Sequence, residues 1–407
     1  MNYYIIAGEA SGDIHAAHLV AAIRQRDAKA QFRGIGGDAM ARQGVQLILH
    51  YSNLAYMGFI PVLMHLPTIL RGMKQCEQDI LSYKPDAVIL VDYPGFNLRI
   101  AAFAHRHTRA KVVYYIAPKI WAWKERRIRS IRRNVDLLLS ILPFEVEYYR
   151  QRHDYQIHYV GNPTVDEVAS YLSRHPEASS PSPQGKVGER PVIALLPGSR
   201  RQEVLDNLPR MIQGAAPFAA DHQLVIAAAP GLSDQFYRHI LEKNKVQCPM
   251  PNGQCPMVNA QCSMVNDECS MNVSVQWVRG QTFRLLQHST AALVTSGTAT
   301  LETALFGVPQ VVCYHTKAGR IVSLLRWLFL RVPHISLVNL ICGKEVVPEL
   351  VAHQMSAANV RRHLAAILPG GNARQAQLEG YRHMAALLGK PGAPDKAATI
   401  ILEHLKS

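Results

Sequence analysis

Asp92 closes one of the most apolar runs in the sequence. Residues 87–91 read Ala-Val-Ile-Leu-Val, a pattern typical of a strand buried on both faces of a parallel sheet. A carboxylate at the end of such a strand is partly removed from water, which raises its pKa toward that of a general base. Asp92 is therefore the first candidate for a catalytic base. The alternative is a hydrogen-bonded turn former ahead of Pro94.

A second acidic segment, GEASGD at 8–13, stands between the first predicted strand and a helix predicted from residue 14. Its glycines let the backbone approach a ligand closely, and the helix offers free N–H groups. The dinucleotide-binding pattern G-x-G-x-x-G is absent, and an acidic loop suits sugar hydroxyls better than a pyrophosphate. Glu9 and Asp13 are further candidates for the base, with a turn capped by Asp13 as the alternative.

The stretch TSGTATLE at 295–302 is the most informative one. A predicted strand, 291–295, enters a small, hydroxyl-rich turn that is followed by a helix. Such a turn provides backbone N–H groups, hydroxyls and the positive end of a helix, all suited to phosphate. Glu302 is placed to accept hydrogen bonds from both hydroxyls of a ribose; a structural helix cap is the alternative. The candidate phosphate contacts are Ser296, Gly297, Thr298, Ala299 and Thr300.

Two further loops carry polar residues after predicted strands. In LPGSR at 196–200, the Arg200 guanidinium is placed to meet a diphosphate beside Ser199; a solvated arginine is the alternative. Asn339 and Glu349 lie in a later loop, and for both residues a ligand contact and a structural role are equally open. No D-x-D pattern occurs in the chain, so no metal or other cofactor is expected at a diphosphate.

The elements that position these loops alternate between strands and helices. This rhythm begins at residue 3, gives way to a Ser/Pro/Gly-rich stretch and restarts at 192. It predicts an α/β protein with two Rossmann-like, doubly wound parallel sheets facing a cleft, with ligands beyond the carboxyl ends of the strands. The predicted parts are an N-terminal domain at 1–172, a linker at 173–190, a C-terminal domain at 191–365 and C-terminal helices at 366–407 that pack back.

The formal net charge of +14 over 407 residues calls for an anionic partner or surface. The segment 119–133, predicted as a helix, carries seven cations against Glu125; a solvated helix face is the alternative. No aromatic platform or recognisable nucleic-acid motif accompanies these cations, so no nucleic-acid partner is expected. The sequence shows no signal-peptide pattern and no apolar run of about 18 residues. A soluble or surface-bound protein is expected.

Two apolar segments, 56–73 and 320–331, are interrupted by prolines or arginines and suit a lipid surface. Ordinary core packing is the alternative for both. The candidate contacts to a membrane and its anions are Met57, Phe59, Lys124, Arg126, Arg127, Arg326 and Trp327.

Four of the seven cysteines recur at every seventh residue between 248 and 269. This spacing is not the C-x2-4-C of a zinc site, and prolines and asparagines within the repeat exclude a coiled coil. Residues 247–272 are therefore predicted to be a low-complexity surface insertion without a metal.

Eight motifs occur in an order that resembles one known family. They are GEASGD at 8–13, VDYPGFN at 91–97, YIAPKIWAWKERR at 115–127, LPFE at 142–145, VGNP at 160–163, LLPGSRRQEV at 195–204, SGTATLE at 296–302 and the segment 339–349. Together they resemble the lipid-A-disaccharide synthases, glycosyltransferases of the two-Rossmann-domain GT-B class. The cysteine repeat and the Ser/Pro-rich segment depart from the family pattern, and the residues around Asp92 vary.

The resemblance implies that glucosamine passes from UDP-2,3-diacylglucosamine to the 6-hydroxyl of 2,3-diacylglucosamine 1-phosphate, with inversion and release of UDP. It makes Asp92 the candidate base and places Arg200, the 296–302 turn, Asn339 and Glu349 about the donor. The candidate residues on the acceptor side are Ser11, Gly12, Asn97 and Asn162.

The resemblance also implies closure of a hinge between the two halves. It implies a cytoplasmic enzyme held peripherally on the inner face of the inner membrane by its basic and apolar surface, with a homodimer as one assembly. A UDP-sugar 2-epimerase of the same fold is the nearest alternative, and it has no use for such a surface. A non-catalytic nucleotide-sugar-binding protein is the other.

Overall fold

The computed structural model describes residues 1–53, 66–176, 190–244, 273–315 and 334–406. The cysteine repeat and most of the predicted linker lie outside these ranges, as do four of the predicted membrane contacts, Met57, Phe59, Arg326 and Trp327. The described chain divides into two compact units. Unit 1 is Met1–Asp166 with Lys390–Ser407, and unit 2 is Glu167–Gly389.

Thirteen strands and fifteen α-helices make up the described chain. The strands are β1 Asn2–Ala7, β2 Gln31–Gly36, β3 Gln46–His50, β4 Ala87–Val91, β5 Lys111–Tyr115, β6 Leu137–Ser140, β7 His158–Tyr159, β8 Val192–Leu196, β9 Gln223–Ala228, β10 Val275–Arg279, β11 Ser289–Val294, β12 Gln310–Tyr314 and β13 Glu349–Val351. The helices are α1 Ala10–Arg24, α2 Asp38–Arg42, α3 Leu66–Tyr83, α4 Pro94–His107, α5 Ile128–Asn134, α6 Pro143–His153, α7 Pro163–Arg174, α8 Arg201–Ala215, α9 Asp234–Lys243, α10 Thr282–Gln287, α11 Thr298–Leu305, α12 Leu337–Cys342, α13 Ala357–Ile367, α14 Arg374–Leu388 and α15 Ala393–Lys406.

Unit 1 is built on a seven-stranded sheet in the order β3-β2-β1-β4-β5-β6-β7, with every neighbouring pair parallel. Its strands are apolar on both faces because helices cover both. Along β1, Tyr3 and Ile5 point to a cluster shared with α1 and α15, whereas Tyr4 and Ile6 point to one shared with α3 and α4. This alternation follows from the two-residue period of a strand.

Unit 2 has a six-stranded sheet in the order β10-β9-β8-β11-β12-β13, again parallel throughout. On β8, Ile193 and Leu195 belong to a cluster with α8, α9 and α13, and Ala194 and Leu196 to a smaller one with α10 and α11. Helices α13 and α14 belong to this unit, whereas α15 belongs to unit 1. The α/β class with two doubly wound parallel sheets is confirmed.

Two local predictions were wrong. Helix α1 begins at Ala10 and not at residue 14, because Glu9 has an extended backbone (φ −155°) and its carbonyl already accepts the Asp13 N–H at 2.9 Å. The basic segment is not one helix either. Residues 116–124 have no helical structure, a 3₁₀ turn spans Glu125–Arg127, and α5 follows. The left-handed backbone of Lys124 (φ 55°) interrupts the segment.

No helix within the described ranges is long and apolar enough to cross a membrane.

Candidate active site

In unit 1 the strand order reverses between β1 and β4, which pair in parallel. Loops that follow two such strands leave the same edge of the sheet and turn to opposite sides, so the crevice between them is the usual ligand site of an open α/β sheet. The two loops meet here, because a Cβ at Gly8 would overlap the Tyr93 ring. Residues that follow β1 and β4 therefore share one site.

Asp92 follows β4 directly, and its backbone is strained. Asp92 has φ 45° and Tyr93 has φ 45° and ψ 54°, in the left-handed region that L side chains rarely adopt. Each such residue costs about 1 kcal/mol or more and persists only where its surroundings hold it. The Asp92 carbonyl accepts hydrogen bonds from Asn97 Nδ2 at 2.8 Å and Tyr114 Oη at 2.6 Å, and its N–H donates to the Tyr115 carbonyl at 3.1 Å. Strain held in this way is a mark of functional positions.

The Asp92 carboxylate is half-buried. Burial raises the pKa of Asp92, whereas the positive charge of Lys119, the N–H of Tyr93 and the charge of Arg127 oppose that rise. A carboxylate with a raised pKa accepts a proton from an alcohol more readily than an ordinary one. Asp92 therefore combines partial access to solvent with the electrostatics of a general base.

Glu9 lies beside the loop that carries Asp92. It is half-buried ahead of α1, Ser11 Oγ lies 3.5 Å from its Oε1, and its charge, after burial, raises the pKa of the Tyr93 hydroxyl. The structure thus brings Glu9, Ser11 and the Asp92 loop to one end of the sheet.

Asp13, the third candidate base, is buried and tied to the backbone. Its carboxylate accepts N–H groups from Gly37 at 2.7 Å, Ala39 at 2.9 Å and Met40 at 3.1 Å, which satisfies the first turn of α2. A Cβ at Gly37 would lie 2.8 Å from Asp13 Oδ2, so the glycine is needed for this close approach. Three donors fix the carboxylate in place.

In unit 2 the strand order reverses between β8 and β11. Gly198 (φ 111°) follows β8, and Gly297 (φ 133°) follows β11 and directly precedes α11. The first N–H groups of α11 have no partner inside the helix and are directed to this edge of the sheet, as in anion sites at helix N-termini. Thr298, the first residue of α11, is exposed.

Two hydroxyls of this turn form hydrogen bonds within the protein. Ser296 Oγ donates to the Ile335 carbonyl at 3.2 Å, and Thr300 Oγ1 donates to the Gly297 carbonyl at 2.8 Å. The backbone N–H groups of Thr298 and Ala299 have no partner within α11 and are the candidate donors to a ligand, whereas the hydroxyls of Ser296 and Thr300 shape the turn.

Arg200 stands at the start of α8. Its Nη1 lies 3.2 Å from Glu203 Oε1, and Glu203 Oε2 accepts the N–H groups of Ser199 and Arg200 at 3.3 Å. The Arg200 side chain is 65% exposed, and an exposed ion pair contributes at most about 1 kcal/mol. An anionic ligand with good geometry can therefore displace Glu203 from the guanidinium.

Glu302, on α11, is a half-buried carboxyl whose pKa is raised to about 7. Burial is the larger cause, and the facing Glu167 carboxylate is the smaller. Glu302 is thus ionised only in part near neutral pH, and a pair of hydroxyl donors would stabilise its charged form.

Residues 3–400 match the family described as lipid-A-disaccharide synthetase. The chain belongs to this family. A lipid-A-disaccharide synthase of Myxococcus xanthus is 36% identical over 406 residues, covering 98% of this chain and 97% of that protein. The predicted family, and with it an enzyme and glycosyltransferase of lipid A biosynthesis, is confirmed.

Solved structures confirm the GT-B fold. A UDP-GlcNAc 2-epimerase from Neisseria meningitidis, solved with UDP-GlcNAc, superposes with a TM-score of 0.63 at 11% identity and covers 100% of both chains. A calicheamicin glycosyltransferase superposes with a TM-score of 0.57 at 15% identity and covers 100% of this chain and 98% of its own. At such identities the likeness concerns the fold alone. The family match therefore separates this lipid-A-disaccharide synthetase family member from an epimerase, whereas the fold does not.

Two donor-side candidates of the family motif, Asn339 and Glu349, bond within the protein. The Asn339 side chain is buried, accepts the N–H groups of Val346 and Val347, and donates to Glu349 Oε1 at 2.9 Å. Glu349 also accepts the Ile335 N–H at 2.9 Å. Both residues line a polar cavity of about 350 Å³. These hydrogen bonds hold α12 to β13, which is a structural role.

Asn207 was missed by the sequence analysis. This buried residue of α8 links three neighbouring strand ends: its Nδ2 donates to Thr295 Oγ1 at 3.1 Å and to the Pro197 carbonyl at 3.5 Å, and its Oδ1 accepts the His315 N–H at 2.7 Å. It shares its helix face with Leu208 and other buried apolar residues. A lone amide on an apolar helix face was the available signal.

Glu145 was also missed, although the LPFE motif contains it. It is fully buried at the start of α6, where Trp121 Nε1 donates to it at 2.7 Å and Ser140 Oγ forms a short hydrogen bond. Burial raises the pKa of Glu145 to about 7; these two donors and Lys119 oppose the rise, and Asp92 adds to it. Glu145 therefore anchors the loop that carries Trp121 close to Asp92.

The remaining acceptor-side candidates are buried. Asn97 supports Asp92, as described above. Asn162 Nδ2 donates to the Ile141 carbonyl at 3.0 Å and its Oδ1 accepts the Thr164 N–H at 3.0 Å, so its side chain shapes the turn before α7. Gly12 lies buried in the first turn of α1, with no tight contact to its Cβ position.

Two of the predicted contacts to membrane anions, Lys124 and Arg127, lie near Trp123, which is 50% exposed. Lys124 Nζ lies 4.3 Å and Arg127 Cζ lies 5.3 Å from the centre of its ring. Arg126 is exposed. Among the described residues, no group of three or more His, Cys, Asp or Glu side chains is arranged to hold a metal ion.

Proposed function

We propose that this member of the family joins UDP-2,3-diacylglucosamine to 2,3-diacylglucosamine 1-phosphate, forming the β-1,6 lipid A disaccharide 1-phosphate and releasing UDP. The observation that carries the proposal is the family match over residues 3–400. The supporting geometry is a strained, half-buried carboxylate at one topological switch point and an open helix N-terminus at the other. Lipid-linked sugars are the substrates that the family implies.

Asp92 is the proposed general base. Its carboxylate takes the proton of the acceptor 6-hydroxyl while that oxygen attacks C1 of the donor sugar on the face opposite UDP. The new C1–O6 bond forms, the C1–O bond to UDP breaks, and its electron pair leaves with the diphosphate, so the configuration at C1 inverts. The raised pKa of Asp92 supports this role.

The other carboxylates have less support as the base. Asp13 is held by three backbone N–H groups and is proposed to position the turn between β2 and α2. Glu9 is the remaining rival, because it is half-buried near Tyr93. We propose that Glu9 and Ser11 contact acceptor hydroxyls.

Unit 2 is the proposed donor site. The N–H groups at the start of α11 would meet the diphosphate, with Arg200 leaving Glu203 to neutralise the charge that develops on departing UDP. Glu302 would accept hydrogen bonds from the ribose hydroxyls, because its carboxyl is partly desolvated and these donors would stabilise its charged form. Asn339 and Glu349 would hold the wall of the site.

We also propose that the protein works peripherally at the inner face of the inner membrane, where its lipid substrates reside. Exposed Lys124 and Arg126 supply cations for anionic headgroups. Met57, Phe59, Arg326 and Trp327 stay predicted contacts. Co-sedimentation with anionic and neutral vesicles tests this placement, and sedimentation of the purified protein tests the predicted homodimer.

Release of UDP by the purified protein in neutral detergent micelles tests the proposed reaction. We expect release only when both lipids are present and a β-1,6-linked product by NMR. The Glu9→Gln variant is compared with Asp92→Asn to separate the two remaining candidate bases. Asp38→Asn is the control, because Asp38 is an exposed aspartate of the same unit.

UDP release that needs no acceptor would contradict the proposal, and conversion of UDP-GlcNAc to its 2-epimer would replace it with the epimerase. UDP-sugar binding without any turnover by folded protein would indicate a non-catalytic binding protein.

A further inference from the structure

The loop 116–127 follows β5, the strand next to β4 in the sheet, so it begins at the same sheet edge as Asp92. Its far end is the 3₁₀ turn Glu125–Arg127, which leads into α5, and α5 packs against α4, the helix that starts two residues after Asp92. Glu145 holds the middle of the loop through Trp121. The loop is therefore fixed at several points beside the proposed base.

This loop presents two cations that form no ion pair with the described residues. Arg127 is half-buried and Lys119 is exposed, and among the described residues neither side chain forms a hydrogen bond or an ion pair with the protein. The one acid of the segment, Glu125, pairs with Arg152 at 2.8 Å. The Arg127 guanidinium instead lies 5.3 Å from the centre of the Trp123 ring, a cation–π contact that orients it.

The position of Arg127 is costly without a ligand. Burial lowers the pKa of Arg127, which means that its charge is partly desolvated, and the nearby Tyr114 and Asp92 oppose this lowering only in part. A partly desolvated cation without an ion-pair partner destabilises the free protein. An anion bound at this point would remove that penalty.

The chemistry of the acceptor supplies a suitable anion. In a 2,3-diacylglucosamine 1-phosphate, C1 carries the phosphate and C5 carries the CH2OH group with the 6-hydroxyl, and these two carbons flank the ring oxygen. With the 6-hydroxyl at Asp92, the phosphate therefore lies close by, on the other side of the ring oxygen. A planar guanidinium can donate two parallel N–H bonds to a phosphate monoester, and a lysine adds a point charge.

We propose that Arg127, together with Lys119, binds the phosphate monoester of the acceptor and thereby sets which hydroxyl of the acceptor sugar faces Asp92. This inference rests on the proposed function and deepens it. It also changes the expectation for Arg127 from a membrane contact to a substrate contact, whereas the exposed Lys124 and Arg126 keep the surface role.

The same phosphate chemistry occurs in membrane headgroups, so the test separates the two sources. The variants are Arg127→Gln, Arg127→Lys and, as a matched control, Arg129→Ala, which removes an exposed cation two residues away. Steady-state kinetics are measured in neutral micelles with the acceptor and with its analogue that lacks the 1-phosphate. Calorimetric titration of a short-chain acceptor without donor gives the binding affinity independently of turnover. Thermal unfolding verifies that each variant is folded.

For Arg127→Gln we expect the acceptor KM and Kd to rise roughly 10- to 100-fold, with the donor KM unchanged and partial recovery in Arg127→Lys. The wild type and Arg127→Gln should bind the dephosphorylated analogue equally. Two results overturn the inference. One is an acceptor KM of Arg127→Gln equal to that of Arg129→Ala. The other is an Arg127→Gln KM that rises as much with the analogue as with the phosphorylated acceptor.

A loss seen only when anionic phospholipid is added would assign Arg127 to headgroups and also overturn the inference. If the wild type binds the acceptor through its phosphate and Arg127 but never transfers a sugar, the proposed function fails and the phosphate site stands. If sugar transfer occurs and does not depend on Arg127, the proposed function stands and the phosphate site is overturned.

Discussion

The two switch points have the same topology and opposite electrostatics. In unit 1 the loops after β1 and β4 carry Glu9 and Asp92, and the positive φ angles belong to an aspartate and a tyrosine. In unit 2 the loops after β8 and β11 carry hydroxyls and N–H groups, and the positive φ angles belong to Gly198 and Gly297. A doubly wound sheet thus provides the position, and the loop residues decide whether it holds a base or an anion.

The two sites also differ in how they are held. Glycine adopts a positive φ without strain and exposes its backbone to a ligand. A strained aspartate needs support, and Asn97 and Tyr114 provide it through the Asp92 carbonyl. In unit 2, Asn207 joins neighbouring strand ends, and the positive φ angles in the loops there belong to glycines, which adopt them without strain. We therefore expect changes at Asp92 and its supports to act on turnover, and changes at Asn207 and the start of α11 to act on donor affinity.

The largest effect is expected for Asp92→Asn. This change keeps the size of the side chain and removes its ability to accept a proton, so kcat should fall by roughly 10²- to 10⁴-fold. Steady-state UDP release with both lipids measures it. A kcat within a few-fold of the wild type would move the base to Glu9 and break the assignment of roles within unit 1.

Asn97→Ala should have the next largest effect. It removes the amide donor to the Asp92 carbonyl and to the Val91 carbonyl, so we expect a fall in kcat of about 10- to 100-fold and a loss of about 1–3 kcal/mol in the free energy of unfolding. Kinetics and urea unfolding measure the two quantities.

Asn134→Ala is the matched control for Asn97→Ala, because Asn134 is also buried but its amide, among the described residues, donates to Ser130 alone. It should lower stability without lowering kcat. An equal loss of kcat in both variants would show that Asn97 acts only through general stability.

Asn207→Ala should act on the donor. Loss of the links to Thr295 and His315 loosens the ends of β11 and β12, and we expect the donor KM to rise about 10-fold while the acceptor KM holds. Asn207→Asp, which keeps the oxygen that accepts the His315 N–H, should lie between Asn207→Ala and the wild type. A rise in the acceptor KM alone would contradict the division between the units.

The smallest effect is a pH dependence set by Glu302. Its pKa is about 7, so above that pH it is ionised and can accept two ribose hydroxyls, and below it the added proton removes acceptor capacity. The donor KM should rise about 3-fold as the pH falls from about 7.5 to about 6.5, as expected for one titrating group. Glu302→Gln should remove this slope, and an unchanged slope would exclude Glu302 as its source.

Much of the fold could be predicted from the sequence because parallel strands buried on both faces are continuous apolar runs. Residues 87–91 were predicted with the bounds that the structure has for β4, and the second run of strands was predicted to start at residue 192, where β8 begins. The start of α1 could not be predicted, because Glu9 forms no side-chain hydrogen bond as its N-cap and so leaves no sequence signal. The basic segment was predicted to be one helix because its run of charged residues gives no indication that the Lys124 backbone is left-handed.

The site was predictable where a residue type is unusual for its place, as with Asp92 at the end of an apolar strand. It was not predictable where the partner is distant in sequence. Asp13 bonds to an N–H 24 residues away, and Asn207 bonds to Thr295 and His315. Spacing along the chain cannot reveal such pairs, because the sheet that brings them together forms only in the folded protein.

The division of roles is tested most directly by amide hydrogen exchange with and without UDP. Bound UDP should slow exchange at Thr298 and Ala299, whose N–H groups are the proposed donors to the diphosphate, and leave the loops after β1 and β4 unchanged. Protection centred on residues 9–13 or 92–97, with none at the start of α11, would contradict the account.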